Sequence, residues 1–311
     1  MSGSVRVGVV IISHNSTEFL ADCLESLAAE PINRVIVWDN ASTREQASAL
    51  SILCEGYPSV QLELSEENVG FGPAVNSAAA RLRDAGEVDY LWILNPDVVV
   101  RAGALARLVR TAVDDDWAVL SPMIVRKGRR GDVRVWYSGG ELRVREGRSR
   151  HIRIGEPLSP ADTGVSSVSF VSGAAPLISV AAWDRLGGFR EDLFLYCEDA
   201  DLSLRATEHG LPMGVDREAV VEHVEGGSSG GHGPGPTFYY YVQRNRFRVY
   251  ADATNTVGLL LGRGAIETFR LLVLTLRPAG RNRIESLSSS VQGLIAGIRG
   301  ESGPRPSRST P

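Results

Sequence analysis

Residues 5–16, VRVGVVIISHNS, and residues 34–42, RVIVWDNAS, decide the fold of this chain. Each is an apolar run that stops abruptly at polar residues. A run without polar alternation reads as a strand buried on both faces, the situation of a central strand in a parallel sheet. Between the two, residues 16–29 carry Phe19, Leu20, Cys23, Leu24 and Leu27 at helical spacing. The alternation continues with a helix at 43–55, a short strand at 60–64 and a small-residue helix opened by Pro73 and ending near Arg83. A buried strand at 89–94 (DYLWIL) and a helix at 102–113 follow. Alternating elements of this length predict an α/β, doubly wound, mostly parallel sheet flanked by helices.

The pattern changes after residue 118. Residues 118–180 read as β-rich with Gly and Pro punctuation, and 126–160 as an Arg-rich loop or hairpin. A helix is expected at 198–209, short strands near 212–222 and a mobile Gly-rich loop at 224–236 (VEGGSSGGHGPGP). Residues 237–252 and 256–276 read as helical, and 299–311 as a disordered tail.

Composition narrows the function. The 311 residues are 43% hydrophobic and 23% charged, enough to bury a core without disulfides. A net charge of −4 argues against a dedicated nucleic-acid binder, which would carry a basic excess. Cys23, Cys54 and Cys197 are scattered and form no CxxC pair, so they read as free, buried thiols of a cytoplasmic protein. No run of 18 apolar residues exists to span a membrane, and the N-terminal apolar run reads as a strand.

In open α/β sheets ligands sit at the carboxyl ends of the strands. Three polar clusters fall there: Ser13-His14-Asn15, Asp39-Asn40-Ala41-Ser42 and Asn95-Pro96-Asp97. Asp39 can accept the N3–H of uracil or thymine; its alternative is to cap the next helix, which Ser42 or Thr43 can also do. Asp97, after the strand-ending Pro96, suits Mg²⁺ or Mn²⁺ bridging a diphosphate, or else a plain turn. SEENVGFGPAVNS at 65–77 brings Gly70 and Gly72 to a helix entrance, where backbone can approach a ligand closely. Glu198, Asp199 and Asp201 crowd a helix start beside Phe194, Leu195 and Tyr196. A carboxylate against apolar walls becomes a stronger base, whereas a helix N-terminus alone also attracts acids. His223 ends an apolar strand and is either structural or a metal ligand; Arg244, Arg246 and Arg248 suit phosphate or a solvated helix face.

In order and spacing these segments resemble glycosyltransferase family 2 and its rhamnosyltransferase-like branch, over about residues 5–250. The resemblance rests on VIISHNS (10–16), VWDNAS (37–42), NVGFGPAVN (68–76), LNPDV (94–98), FVSGA (170–174), LGGFREDLFLYCEDADLSLR (186–205) and HVEGGS (223–228). It implies a GT-A fold over 1–255, with a nucleotide-sugar-binding half (1–125) and an acceptor-binding, catalytic half (126–255). A C-terminal helical extension (256–298) would follow. It assigns Asp199 as catalytic base, Asp97 and His223 as ligands of a divalent metal, and Asp39 as reader of the base. Ser13, Asn15, Asn40, Asn68, Gly70, Asn76, Asn95 and Arg244 would line the donor, Arg244 with Asn245 as an Arg-Asn pair near the diphosphate, and Ser172, Gly173 and Glu198 the sugar and acceptor side. Asn95 stands where the first acid of the family's DXD motif lies.

The implied reaction is one displacement with inversion, from a dTDP- or UDP-linked sugar to a glycan, lipid-linked or small-molecule acceptor. The branch favours dTDP-L-rhamnose. Two other classes compete. A nucleotidyltransferase needs a glycine-rich basic loop after strand one, and Ser13-His14-Asn15-Ser16 supplies neither. A non-catalytic sugar-nucleotide-binding module has no need to keep Asp97, Asp199 and His223 together. Residues 263–277 mix Arg263, Glu267, Arg270 and Arg277 with apolar residues at helical spacing. Such a helix packs on the catalytic domain, the preferred reading, or rests at the inner face of a plasma membrane.

Overall fold

The computed structural model describes residues 5–86, 88–128, 131–224, 234–276 and 283–306. The first half runs β1 (Val7–Ser13), α1 (Thr17–Leu27), β2 (Arg34–Asn40), α2 (Arg44–Glu55), β3 (Val60–Ser65), α3 (Phe71–Asp84) and β4 (Tyr90–Leu94). Then come β5 (Val98–Val100), α4 (Ala104–Asp114), β6 (Val119–Lys127), β7 (Val133–Tyr137), β8 (Gly140–Arg143), β9 (Arg148–His151), β10 (Val165–Ser167) and β11 (Leu177–Ser179). The chain ends with α5 (Val180–Leu186), α6 (Glu198–Glu208), β12 (Met213–His223), α7 (Pro236–Leu261), α8 (Gly264–Leu274) and α9 (Arg283–Ile298).

One large sheet takes the order β10-β12-β6-β11-β4-β1-β2-β3. Strands β3, β2, β1 and β4 are parallel, as are β6 and β12; β11 runs antiparallel between β4 and β6. This is the GT-A arrangement. β1 shows why the apolar run is continuous. Val7, Val9 and Ile11 pack with α1, α2 and α4 on one face, while Val10 and Ile12 pack with α3 and α5 on the other. Each fully buried Val or Ile contributes about 1.5–3 kcal/mol.

The Arg-rich region, expected as a loop or hairpin, forms two hairpins, β6–β7 and β8–β9. Three local expectations need correction. The stretch 212–222 forms one long strand, β12, whose register with β6 shifts between Asp216 and Val220. Helix α7 does bend near residue 255, where Asn255 takes φ 57° and its Oδ1 accepts the Gly258 amide, recapping the next turn. A second break at Gly262 and Arg263 then separates α7 from α8, where one helix over 256–276 was expected. Finally, residues 299–306 are fastened. Gly303 N donates to Asp192 O at 2.9 Å, Arg248 Nη1 to Gly300 O at 2.7 Å and Arg305 N to Tyr241 Oη at 2.7 Å. Buried arginine side chains supply donors that this polar tail satisfies. Most of the Gly-rich loop, residues 225–233, lies outside the described residues.

Candidate active site

The ends of β1 and β2 meet in register, Ser13 opposite Asp39. Both chains then turn through positive φ, at Asn15 (53°) and Ala41 (59°). Asn15 stitches the two turns: its amide donates to Ser42 Oγ at 2.8 Å, and its Oδ1 accepts the Thr43 amide at 2.9 Å. Thr43 caps α2, which frees Asp39 from that duty. Asp39 is buried, and its carboxylate accepts the Ser42 amide and hydroxyl. Ser13 Oγ lies 3.1 Å from Ser16 Oγ.

Asn40 holds the next loop rather than facing open space. Its Nδ2 donates to Asn68 Oδ1 and Gly70 O, each at 3.1 Å, and its Oδ1 accepts the Val69 amide at 3.0 Å. Asn68 Oδ1 also accepts the Gly70 amide. Gly70 has φ 93°, and a Cβ there would stand 2.5 Å from Phe194 O, so only glycine fits. Asn76, expected at the nucleotide, instead ties α3 to the 189–191 segment. It donates to Phe189 O (2.8 Å) and Glu191 Oε1 (3.0 Å) and accepts the Phe189 amide (2.9 Å).

Pairing of β5 with β12 sets Val98 opposite His223 and brings His223 Nε2 to 3.4 Å from Asp97 Oδ1. Asp97 is buried, and neither of its carboxylate oxygens has a hydrogen-bond partner among the described residues; nor does His223 Nδ1. Burial raises the Asp97 pKa, partly offset by His223. An orphaned buried carboxylate costs too much to leave bare. A carboxylate oxygen and an imidazole nitrogen at this separation fit a hard divalent cation. Among the described residues no cluster of three or more such ligands exists. Trp136 stacks flat on His223, centroids 4.9 Å apart, and fixes the ring. His151 packs edge-on against Trp136; burial lowers its pKa, so it stays neutral.

Asn95 links the Asp97 loop to the segment that carries Asp199's partner Gly173. Its amide donates to Ala174 O at 2.9 Å, and the neighbouring Gly173 amide donates to Asp199 Oδ2 at 3.1 Å. Asp199 Oδ1 accepts the Ala200 amide at the start of α6. Burial pushes the Asp199 carboxyl up while the Gly173 and Ala200 amides hold it back. Ser172 lies buried beside Gly173. Glu198 is buried with Oε1 unpartnered, and burial pushes its carboxyl up to about 8.

The turn before α6 carries three positive φ values, Phe194 (64°), Tyr196 (67°) and Cys197 (72°). Such backbone persists only when its surroundings over-determine it. Asn245 supplies that: its Nδ2 donates to the carbonyls of Leu193, Leu195 and Tyr196 at 2.8–2.9 Å. Arg244 was expected at the diphosphate. It is instead wholly buried, giving Nη2 to Leu193 O, Nη1 to Gly303 O and Nε to Asn245 Oδ1, with Tyr241 4.8 Å from its guanidinium. The Arg244-Asn245 pair, expected together near the diphosphate, therefore braces the turn before α6. Ser42, expected only as a possible helix cap, instead holds Asp39. Sequence reasoning passed over Trp136, which nothing local marked.

This fold and crevice define a glycosyltransferase that uses a nucleotide-sugar donor. The chain belongs to glycosyl transferase family 2, whose pattern matches residues 8–168. It is 31% identical over 220 residues to the N-acetylglucosaminyl-diphospho-decaprenol L-rhamnosyltransferase of Mycobacterium tuberculosis, covering 64% of this chain and 69% of the relative. It is 25% identical over 217 residues to the rhamnosyltransferase WbbL of Escherichia coli, covering 67% and 79%. The fold is similar to that of GalNAc-T7 solved with UDP, GalNAc and Mn²⁺, at TM-score 0.61 and 16% identity, covering 96% of this chain and 57% of that one.

Proposed function

We propose that the enzyme transfers L-rhamnose from dTDP-L-rhamnose to a hydroxyl of a lipid-linked glycan acceptor, with inversion at the anomeric carbon. The observation that carries the chemistry is one crevice with a partnerless carboxylate beside an imidazole, Asp97 and His223, and a separately held base, Asp199. The two rhamnosyltransferase relatives support the sugar, and the diphospho-decaprenol named for one supports the acceptor class. With such an acceptor the reaction belongs at the inner face of the plasma membrane, in cell-wall or polysaccharide assembly.

Asp39 accepts the N3–H of the thymine ring, held in place by Ser42. Asp199 takes the acceptor's hydroxyl proton as that oxygen bonds to the anomeric carbon. The bond from that carbon to the diphosphate oxygen breaks, and its electron pair leaves with dTDP. Asp97 and His223 would hold Mg²⁺ or Mn²⁺, whose chemistry is to neutralise charge building on the diphosphate. Asp199, raised by burial, is the stronger base for it.

Calorimetric titration of dTDP, UDP and GDP, each with and without Mn²⁺, tests the reading. Metal-dependent binding of dTDP over GDP is the expected result. Binding of UDP alone overturns the rhamnose assignment in favour of a UDP-hexose donor, since Asp39 fits uracil equally. Binding of none of them overturns the donor site.

A further inference from the structure

Helices α8 and α9 are built inside out. Soluble helices bury their bulky apolar stripe and expose polar residues. α9 buries Ser286, Ser289, Ser290, Gly293 and Gly297 instead, with Gly293 seated against the Tyr240 carbonyl and Gly297 against Arg244 and Phe247 of α7. α8 buries Glu267 and Thr268; Thr268 O accepts Gln243 of α7, and its hydroxyl accepts Arg246. Leu271 is buried and Leu294 packs on the core, but most of the bulky residues turn away from α7. Leu261 is 82% exposed, Ile266 74%, Phe269 68% and Ile284 88%, and Ile295 and Ile298 are exposed with them. Of sixteen bulky apolar residues exposed among the described residues, ten lie within 257–298, so the exposure is concentrated rather than scattered. Small or polar residues inside and large apolar ones outside is the pattern of helices that face lipid.

Charge selects the occupant. From residue 263 on, eight Arg face three Glu; before it, 25 basic residues face 34 acidic ones. Arg263, Arg270, Arg283 and Arg299 are exposed and stand among the apolar residues. We infer that the outer face of α8 and α9, with the end of α7, lies on an anionic lipid bilayer, apolar side chains in the acyl boundary and arginines at the phosphates. No described helix is long and apolar enough to cross a membrane, which fits a surface-lying mode. The same helix α7 that packs on α8 and α9 carries Arg244 and Asn245, which hold the turn before Asp199, so a bilayer here would lie close to lipid-linked hydroxyls meant for that turn. That last consequence rests on the proposed acceptor; the binding itself does not.

The test is flotation of the full chain with vesicles of phosphatidylcholine alone or with roughly one-third phosphatidylglycerol, whose negative surface potential attracts basic segments, free of any acceptor lipid. Binding to the anionic vesicles, at least tenfold weaker on pure phosphatidylcholine or at raised salt, is expected. The triple variant Ile266→Ser, Phe269→Ser, Ile284→Ser should lose it at least tenfold while circular dichroism and dTDP affinity hold. Absence of binding by the wild-type chain overturns the inference. So does a dimer, seen by light scattering, that the same substitutions dissolve, since the face would then belong to a second copy. Because the vesicles lack acceptor and dTDP binding is read separately, an error in the proposed reaction leaves this result interpretable.

Discussion

Single residues carry the chemistry, and each makes a separable prediction. Asp199→Asn removes the base while leaving the base-reading and phosphate ends alone. Turnover should fall 10²–10⁴-fold with dTDP affinity unchanged, by initial rates beside calorimetry. Asp97→Asn should abolish the Mn²⁺ dependence of dTDP binding, because a neutral amide is a poor ligand for a hard cation. Glu198 gives a prediction about stability. Its carboxyl rises on folding from an ordinary 4.5 to about 8 because burial penalises the charged form. The native chain then holds the proton more tightly than the unfolded one, so stability falls as pH rises between those values. The slope is at most about 1.4 kcal/mol per pH unit for one proton. Glu198→Gln should flatten it, and urea melts at a series of pH values read the difference. Asp39, Asp97, Asp199 and His223, the residues the proposed reaction uses, could be singled out in the sequence because each interrupts or ends an apolar run, where polarity is costly without a use. Asn40, Asn76 and Arg244 were misplaced for an equally physical reason. A polar side chain in a motif looks the same in sequence whether it faces ligand or backbone carbonyls.

Among the elements, the turn 193–197 stands out as positioned rather than self-sufficient. Its three positive φ values are held by Asn245 from α7 and by the close approach of Gly70. Asn245→Ala should drop kcat at least tenfold with dTDP affinity within twofold, since a displacement of about 1 Å at a reacting group can cost 10²-fold. A purely structural loss would lower both together. The elements themselves read well from sequence where burial is two-sided. β1, β2 and β4 announce themselves by uninterrupted Val, Ile and Leu, and their flanking helices by spacing. Legibility faded where one element depends on a distant one. The stacking of Trp136 on His223 joins residues far apart in sequence, which no local period reports.

At the scale of the whole molecule, residues 299–306 close a circuit. Gly303 bonds both Asp192, just before the catalytic turn, and Arg244, which bonds Leu193 within it. Ending the chain at 298 should strand the donors of the buried Arg244 and the half-buried Arg248. Measured kcat should fall while calorimetric dTDP binding stays close to wild type, because the bonds of residues 299–306 run to the segment before α6 and to α7 and not to Asp39 or Asp97. The same circuit gives the enzyme an order of completion during synthesis. The strand ends that read the nucleotide leave the ribosome within the first hundred residues, whereas the bond that finishes the turn before Asp199 must wait for residue 303. At roughly 5–20 residues per second that is a delay of some ten to forty seconds. A nascent chain in that interval lacks the bonds from Gly303 to Asp192 and Arg244, so the turn before Asp199 is the last part of the crevice to be braced.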